Sequence, residues 1–590
     1  MRKSELTVGI GGAAGDGQAS IGDTLAKTCA RLGLHIFVYN SYQSVIRGGH
    51  VWLRLRASGK KIYSHGDHLD AVIALNQDCF DRHAAEVDEG GVVIFNGDKL
   101  ELNASRLKPK VRSIALPIAE LMAPFGRQPA VMQNTVALGA LVHLTDLDFD
   151  FLKGVLSELF ARKGEEVINT NVGLAQAGFD YAAAQHAQMG YDWKFTGKHR
   201  AVLSGNEAFG IGAVAAGCTF YAAYPMTPAS SILHFMANHA EKYGIVVKQV
   251  EDEIGVLNMA IGAGHAGARA LVATSGGGFS LMTEAIGLAG MTETPVVIIN
   301  SMRGGPSTGL PTKTEQGDLN QVFGASQGEY PRIIAAPCDP VDAFDTMTEA
   351  FNIAERYQVP VIVVSDLLLS EHRETVDPDQ FNFEAPIMRG ELAANGNEAG
   401  NGAYKRYAFT ASGISPRALP GNANPDTVYV AASDEHDEQG ILISDVFTNP
   451  ATRKQMMEKR MRKMDGMISE LAPPQLEGDP NAEVTLIGWG SCKGVIQEAI
   501  AQLAEEGVIA NQVHIKYLAP FHAEVVANIL ARCRRTVCVE VNYTGQLARH
   551  LRAETGVKVD HKILRYDGEP FEPAQIAAEV KAFLRTAVAK

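Results

Sequence analysis

Four short stretches in the middle of the chain combine residue types that catalysis needs. Tyr224-Pro225-Met226-Thr227-Pro228 closes an apolar run, and its two prolines restrict the backbone around Thr227, which gives that hydroxyl a defined direction. The hydroxyl could donate to a carboxylate or cap the helix announced by SILHFM, and the residues allow both. Glu251, Asp252 and Glu253 stand between the strand-like VKQV and a helix of small residues. Acids in a first helical turn commonly answer the helix dipole, which accounts for two of them. A glutamate set against Ile254, Val256 and Ala260 is instead placed to exchange a proton with a cofactor. Thr274-Ser275-Gly276-Gly277-Gly278-Phe279 reads as a glycine turn, plain or serving as a platform that a flat ring or a phosphate can approach closely. VVIIN leads into Ser301-Met-Arg-Gly-Gly-Pro, which puts Arg303 at the carboxyl end of a strand, where open α/β sheets bind ligands. A guanidinium there can grip a carboxylate through two parallel bonds.

These loops need a sheet to hold them. Short apolar strands at Thr219 to Ala222, Val246 to Val250, Ala270 to Ala273, Val296 to Asn300 and Val361 to Val364 alternate with helical patterns, so residues 197–384 are expected to form one α/β domain. Residues 1–193 alternate in the same way, from Leu6 to Ile10 through Val92 to Phe95, and predict a second α/β domain with a mainly parallel sheet. Between 385 and 480 the chain becomes rich in Gly, Asn, Ala and Pro, then basic from Pro450 to Leu471, which predicts a wrapping linker and a helix. Residues 481–590 open with VTLIGWGS and again alternate, so the fold class is α/β with three such domains.

Composition narrows the function. The 590 residues carry a formal net charge of -14, the wrong sign for a chain that neutralises a phosphate backbone, so nucleic acid is not an expected partner. Seven cysteines are scattered without a C-x-x-C pair, whereas iron–sulfur clusters and structural zinc take closely spaced thiolates; no metal is expected on this chain. No apolar run approaches the roughly 20 residues of a membrane span, and the reading is a cytoplasmic protein.

Near the amino terminus, Gly9 to Gln18 (GIGGAAGDGQ) follows a strand and opens a helix, a setting that suits an anion, although the glycines could equally serve only a tight turn. A dinucleotide reading expects an acid about 20 residues on, where this chain has Val38, Tyr39, Asn40 and Ser41. Asp16 and Asn40 also mimic, at slightly short spacing, the pair by which thiamine enzymes hold Mg²⁺. Next, YNSYQSVIRGGHVWLRLR places Arg47 and His50 on either side of two glycines, as candidates for an anionic group.

Taken together, GGAAGDGQ…YNSYQSVIRGGH, GNEAFGIGAVAAGCTFYAAYPMTP, ATSGGGFSLMTEAIGLA and RGGPSTGLPTKTEQGDL resemble the 2-oxoacid:ferredoxin oxidoreductases, and within them the large subunits whose gamma domain is fused ahead of the alpha domains. The resemblance covers nearly the whole chain, with a transketolase C-terminal-like domain at its end. One departure is Gly277, where the family often has proline.

The resemblance implies that residues 197–384 bind the pyrimidine side of thiamine diphosphate, with Tyr224, Pro225, Ser275, Gly276 and Gly277 around it and Glu253 bonded to the aminopyrimidine ring nitrogen. An acid there favours the imino tautomer, which removes the thiazolium C2 proton. Thr227 and Arg303 would bind the 2-oxoacid carboxylate, with Arg47 and His50 for a distal carboxylate or a coenzyme A phosphate. A separate beta subunit would carry Mg²⁺ and a [4Fe-4S] cluster, ferredoxin would accept electrons, and the assembly would be a dimer of heterodimers. Such fusions look most like 2-oxoglutarate enzymes, which form succinyl-CoA and CO₂ or run in reverse. Pyruvate, a self-sufficient thiamine enzyme using Asp16 and Asn40, and a non-catalytic module remain the competing expectations.

Overall fold

The first strand, β1 (Glu5–Ala14), carries glycine where a neighbour needs room. A Cβ on Gly9 would stand 2.1 Å from the Trp52 ring, and one on Gly11 would stand 2.6 Å from Cys79 Sγ and 2.8 Å from the same ring. The indole therefore lies across the strand, and two glycines of the amino-terminal motif serve packing. Gly15 and Gly17, at φ 99° and 88°, make the turn into the following helix, Gln18–Arg31.

The computed structural model describes residues 3–43, 48–101, 103–393, 404–421, 429–443 and 449–588. They form two compact units, the first comprising residues 1–204, 371–380 and 572–574 and the second the remainder. In the first unit β1 is joined by β2 (His35–Ser41), β3 (Gly48–Ser58), β4 (Leu69–Ala74), β5 (Val87–Asn96), β6 (Arg112–Leu116) and, as one edge strand, β7 (Ala201–Ser204).

The second unit holds a sheet in which β8 (Phe220–Ala223), β9 (Val246–Gln249), β10 (Ala270–Thr274), β11 (Val296–Met302), β12 (Ile333–Ala335) and β13 (Pro360–Asp366) run parallel in the order β12-β13-β11-β10-β8-β9, with one further antiparallel strand beside β12. Strands β10, β11 and β13 are buried along their whole length, as expected of central parallel strands covered on both faces. After β13 the chain adds β14 (Arg373–Val376), a segment expected within the second domain, to the sheet of the first unit, between β2 and β7.

That first sheet differs from its expected character. It was expected to be mainly parallel, but β1-β4, β4-β5 and β5-β6 pair in parallel while β1-β3, β2-β3, β2-β14 and β7-β14 pair antiparallel. The connection from Ser41 to Gly48 is too short for a crossover helix, so β2 and β3 can only form a hairpin.

The third sheet consists of β15 (Leu476–Glu477), β16 (Val484–Trp489), β17 (Ala510–Ile515), β19 (Thr536–Glu540) and β20 (His561–Leu564), while β18 (Tyr517–Ala519), from the same stretch of chain, is the antiparallel edge strand of the second sheet, beside β12. One apolar core runs from Val256, Phe279 and Ile298 to Trp489, Ile515 and Leu547, so the second and third sheets belong to one unit.

The basic stretch forms the helix Pro450–Glu470, capped by the Asn449 side chain, which accepts from the Ala451 and Thr452 amides. It is not a solvated face. Lys459 and Lys463 are 1 % and 0 % exposed and both donate to the carboxylate of buried Glu293.

Candidate active site

Four chain segments bring the residues singled out in this unit together at the carboxyl ends of β8, β9, β10 and β11. The helix Glu253–His265 starts at an N-cap, Asp252, whose side chain accepts from the Gly255 amide at 2.7 Å. Capping uses Asp252, Glu251 stays in solvent, and Glu253, the first helical residue, turns inward to 3 % exposure. Among the described residues no donor reaches Glu253 Oε1. A buried carboxylate oxygen without a partner forfeits its hydration for nothing in return, unless a ligand donor meets it.

The run after β10 corrects an expectation. Ser275 is an N-cap and Gly276, Gly277 and Gly278 are the first turn of the helix Gly276–Met291, not a free turn. Each glycine has its own surroundings. A Cβ on Gly276 would sit 2.4 Å from Asp318 Oδ2, and one on Gly278 would sit 2.1 Å from Thr274 Oγ1 and 2.5 Å from Glu253 Oε1. At Gly277 the nearest atom is Met226 Cε at 3.9 Å. Ser275 is fully buried, and among the described residues its Oγ also has no hydrogen-bond partner. Gly278→Ala would press on the Glu253 carboxylate and displace it.

Tyr224 and Pro225, just past β8, are exposed, Tyr224 by 39 %, while Thr227 is half-buried. The helix that follows, Ser230–Tyr243, is capped at Ala229 without a side-chain bond, so Thr227 does not cap it. The carbonyl of Thr227 accepts from the Arg303 guanidinium at 2.7 Å, which fixes Arg303 across the mouth of β11. A cavity of about 400 Å³ opens there, lined by Gly276, Gly277, Arg303, Glu315, Gly317 and Asp318 among others.

Two of those acids escaped sequence reasoning, although they stand in the same RGGPSTGLPTKTEQGDL stretch. Asp318 accepts from Asn300 Nδ2 at 3.2 Å. Burial pushes its carboxyl above the usual carboxylate range, against the Asn300 hydrogen bond and the nearby Arg303 charge. Burial likewise raises Glu315.

In the first unit, His50 Nε2 lies 2.8 Å from His83 Nε2 and its Nδ1 lies 3.1 Å from Asp78 Oδ2. Burial first, and then the His83 charge, hold its imidazole below the ordinary range. Arg47 lies outside the described residues. Asp16 closes its own loop, accepting from the Ala13 amide at 2.7 Å and from Asn76 Nδ2 at 3.4 Å, while β3 separates β1 from the strand bearing Asn40. Among the described residues no three His, Cys, Asp or Glu side chains converge as a metal-binding group, and no helix is long and apolar enough to cross a membrane.

Known proteins resemble this chain along nearly its whole length. A family model described as "Pyruvate flavodoxin/ferredoxin oxidoreductase, thiamine diP-bdg" matches residues 211–446, which include Thr227, Glu253, the glycine run and Arg303. "Pyruvate ferredoxin/flavodoxin oxidoreductase" matches 7–181, and "Pyruvate:ferredoxin oxidoreductase core domain II" matches 482–576. The 2-oxoacid:ferredoxin oxidoreductase 2 subunit alpha of Aeropyrum pernix is 33 % identical, covering 99 % of this chain and 98 % of its own. The 2-oxoglutarate oxidoreductase subunit KorA of Mycobacterium tuberculosis is 31 % identical over 100 % and 92 %. The solved 2-oxoglutarate:ferredoxin oxidoreductase of Magnetococcus marinus, with 2-oxoglutarate, coenzyme A and succinyl-CoA bound, superposes with a TM-score of 0.90 at 34 % identity, over 98 % and 99 % of the two chains. End-to-end similarity of this kind, with the buried glutamate and the arginine cavity inside the thiamine-binding match, means that the chain belongs to the 2-oxoacid:ferredoxin oxidoreductases and is of their alpha-subunit type.

Proposed function

We propose that this chain is the alpha subunit of a cytoplasmic 2-oxoglutarate:ferredoxin oxidoreductase, which with a beta subunit converts 2-oxoglutarate and coenzyme A to succinyl-CoA and CO₂, or the reverse, passing electrons to ferredoxin. The observation that carries it is Glu253: a buried carboxylate with an oxygen that no described residue serves, held at a helix start by a glycine that leaves it room. That oxygen suits the ring nitrogen of an aminopyrimidine, so the residues present fit thiamine diphosphate. Bound there, the cofactor supplies a carbanion equivalent for the 2-oxo carbon and a sink for the electrons left when CO₂ departs.

The chain's own part is to bind and orient. Glu253 holds the proton on the pyrimidine nitrogen, and Ser275 lies buried at the start of the adjoining glycine helix. Gly276 and Gly277 line the cavity, and Tyr224 and Pro225 are assigned to the cofactor's surroundings. Arg303, braced by the Thr227 carbonyl, grips the substrate carboxylate together with Thr227. Arg47 and His50 are assigned the distal carboxylate or a coenzyme A phosphate. The beta subunit is assigned Mg²⁺ and the [4Fe-4S] cluster, in a dimer of heterodimers. The choice of 2-oxoglutarate rests on similarity to the Magnetococcus marinus enzyme and to the Mycobacterium tuberculosis subunit. The self-sufficient alternative loses ground because Asp16 is already engaged on the β4 side of its loop.

Turnover on 2-oxoglutarate and pyruvate, with coenzyme A, thiamine diphosphate and a viologen acceptor, tests this reading on the chain alone and with its beta subunit. Activity is expected only with the partner and chiefly on 2-oxoglutarate. Reduction of viologen by the isolated chain overturns the divided site, and a preference for pyruvate overturns the substrate. Arg303→Ala should raise KM for the 2-oxoacid about 10- to 100-fold, the worth of a charged hydrogen bond.

A further inference from the structure

Three of the four residues from 315 to 318 line the cavity, and Gln316 is the exception. Its side chain, fully buried, points the other way, into the C-terminal sheet. Gln316 Nε2 donates to the Trp489 carbonyl at 3.1 Å and to Asp366 Oδ2 at 3.3 Å, while Oε1 accepts from the Val541 amide at 3.2 Å and the Cys492 thiol at 3.5 Å. Its backbone is held as firmly, the amide donating to the Val541 carbonyl at 2.6 Å and the carbonyl accepting from Asn542 Nδ2 at 3.3 Å.

A second glutamine clamps the next residues. Gln546 Nε2 donates to the Gly317 carbonyl at 2.7 Å, and its Oε1 accepts from the Asn320 amide at 2.9 Å. Gln546 is itself placed by its helix start, where Asn542 Oδ1 accepts from the Gly545 and Gln546 amides and the Glu540 carboxylate accepts from Leu547 and Ala548. Polar groups so deeply buried and so fully satisfied specify a single geometry, because any shift leaves donors and acceptors unpaired.

We propose that Gln316 and Gln546 are positioning residues through which the C-terminal sheet fixes the loop 315–318, so that Asp318 and Glu315 face the bound 2-oxoacid beside Arg303. The C-terminal domain is thereby part of the substrate site rather than a separate support. The inference rests on the reading of this cavity as the place of the 2-oxoacid.

The test uses the complete complex of this chain with its beta subunit and a double-mutant cycle between Gln546→Leu and Arg303→Ala, read as KM for the 2-oxoacid and kcat. Gln546→Leu is expected to raise that KM about tenfold, with KM for coenzyme A unchanged, and to have less than a twofold effect once Arg303 is gone. Gln316→Leu is expected to do the same, and Gln546 provides the reading if that variant does not fold. A purely structural role predicts instead a lower kcat from fewer active molecules, an unchanged KM and the same factor in both backgrounds, and that result overturns the proposal. Arg303→Ala separates the two claims: if it leaves KM unchanged, the substrate cavity is misplaced and the inference falls with it. If it raises KM while Gln546→Leu does not, only the positioning role is lost.

Discussion

Glu253→Gln is expected to remove nearly all turnover with every 2-oxoacid, while the chain should still fold and pair with its partner subunit. The substitution keeps the shape of the side chain and its place as the first residue of a helix capped by Asp252, so the 3 %-exposed pocket stays filled. What it removes is the acid. An amide can accept a hydrogen bond from the pyrimidine nitrogen or donate one to it, but cannot hand over a proton, and positioned acid–base groups are typically worth about 10²- to 10⁴-fold. A fall in kcat of at least about 1000-fold is therefore expected. The sharper measurement is exchange of the C2 proton of bound thiamine diphosphate in deuterated solvent, followed by NMR. Exchange as fast as in the unaltered complex would end the role assigned to Glu253, whatever happens to turnover. Gly278→Ala provides the contrast, because it keeps the acid and displaces it, so it should slow exchange without extinguishing it.

Much of the site was legible because its residues sit where strands end. Thr227, the Ser275 run and Arg303 each follow an apolar strand of the parallel sheet, so β8, β10 and β11 bring their loops to one rim. That one glutamate of the three acids would face the apolar side was legible from residue types, whereas Glu253 in particular was implied by the family resemblance, and the Asp252 cap that frees it appears only in the fold. The glycines misled. Three in succession cost a helix about 1 kcal/mol each relative to alanine, so local propensity argues for a turn. The helix forms nonetheless, because a side chain at 278 would strike Thr274 and Glu253, a constraint that exists only after the chain has folded. The mixed first sheet was missed for a related reason: alternation along a strand reports which faces are buried and says nothing about the direction of its neighbour. Asp318 and Glu315 lie in a motif whose arginine alone stands at a strand end, and nothing local marks which of its acids the fold will bury.

The largest stability effect is expected far from the chemistry, at Glu293. Its carboxylate receives Lys459 Nζ at 2.6 Å and 2.9 Å and Lys463 Nζ at 2.6 Å, and the carbonyls of Thr292 and Glu293 accept from Arg406. The two ammonium groups hold Glu293 well below the usual carboxylate range despite its burial. One carboxylate cannot satisfy three cations, however, and the deficit falls on Lys463, which burial draws down to about 7. Glu293→Gln leaves two buried ammonium groups without a counter-charge and should cost about 3–5 kcal/mol, seen as a lower urea midpoint for the assembled complex. Lys463→Met removes the surplus charge and should cost little or even stabilise. The two variants also part in their pH dependence. Between about 7 and the lysine's ordinary value near 10.5, the unfolded chain binds the proton that the folded chain has released, so stability rises with pH across that window. Glu293, with its pKa depressed, adds stability that is present above the ordinary carboxylate pKa and is lost as pH falls through the depressed value, outside that window. Urea midpoints at pH 6.5 and 9.5 separate the contributions by difference: the unaltered complex should gain stability relative to Lys463→Met as pH rises, because the methionine variant has lost only that proton. If the difference between the two does not change with pH, Lys463 keeps its proton in the folded chain, and the helix Pro450–Glu470 is held by a charge network that tolerates its own excess.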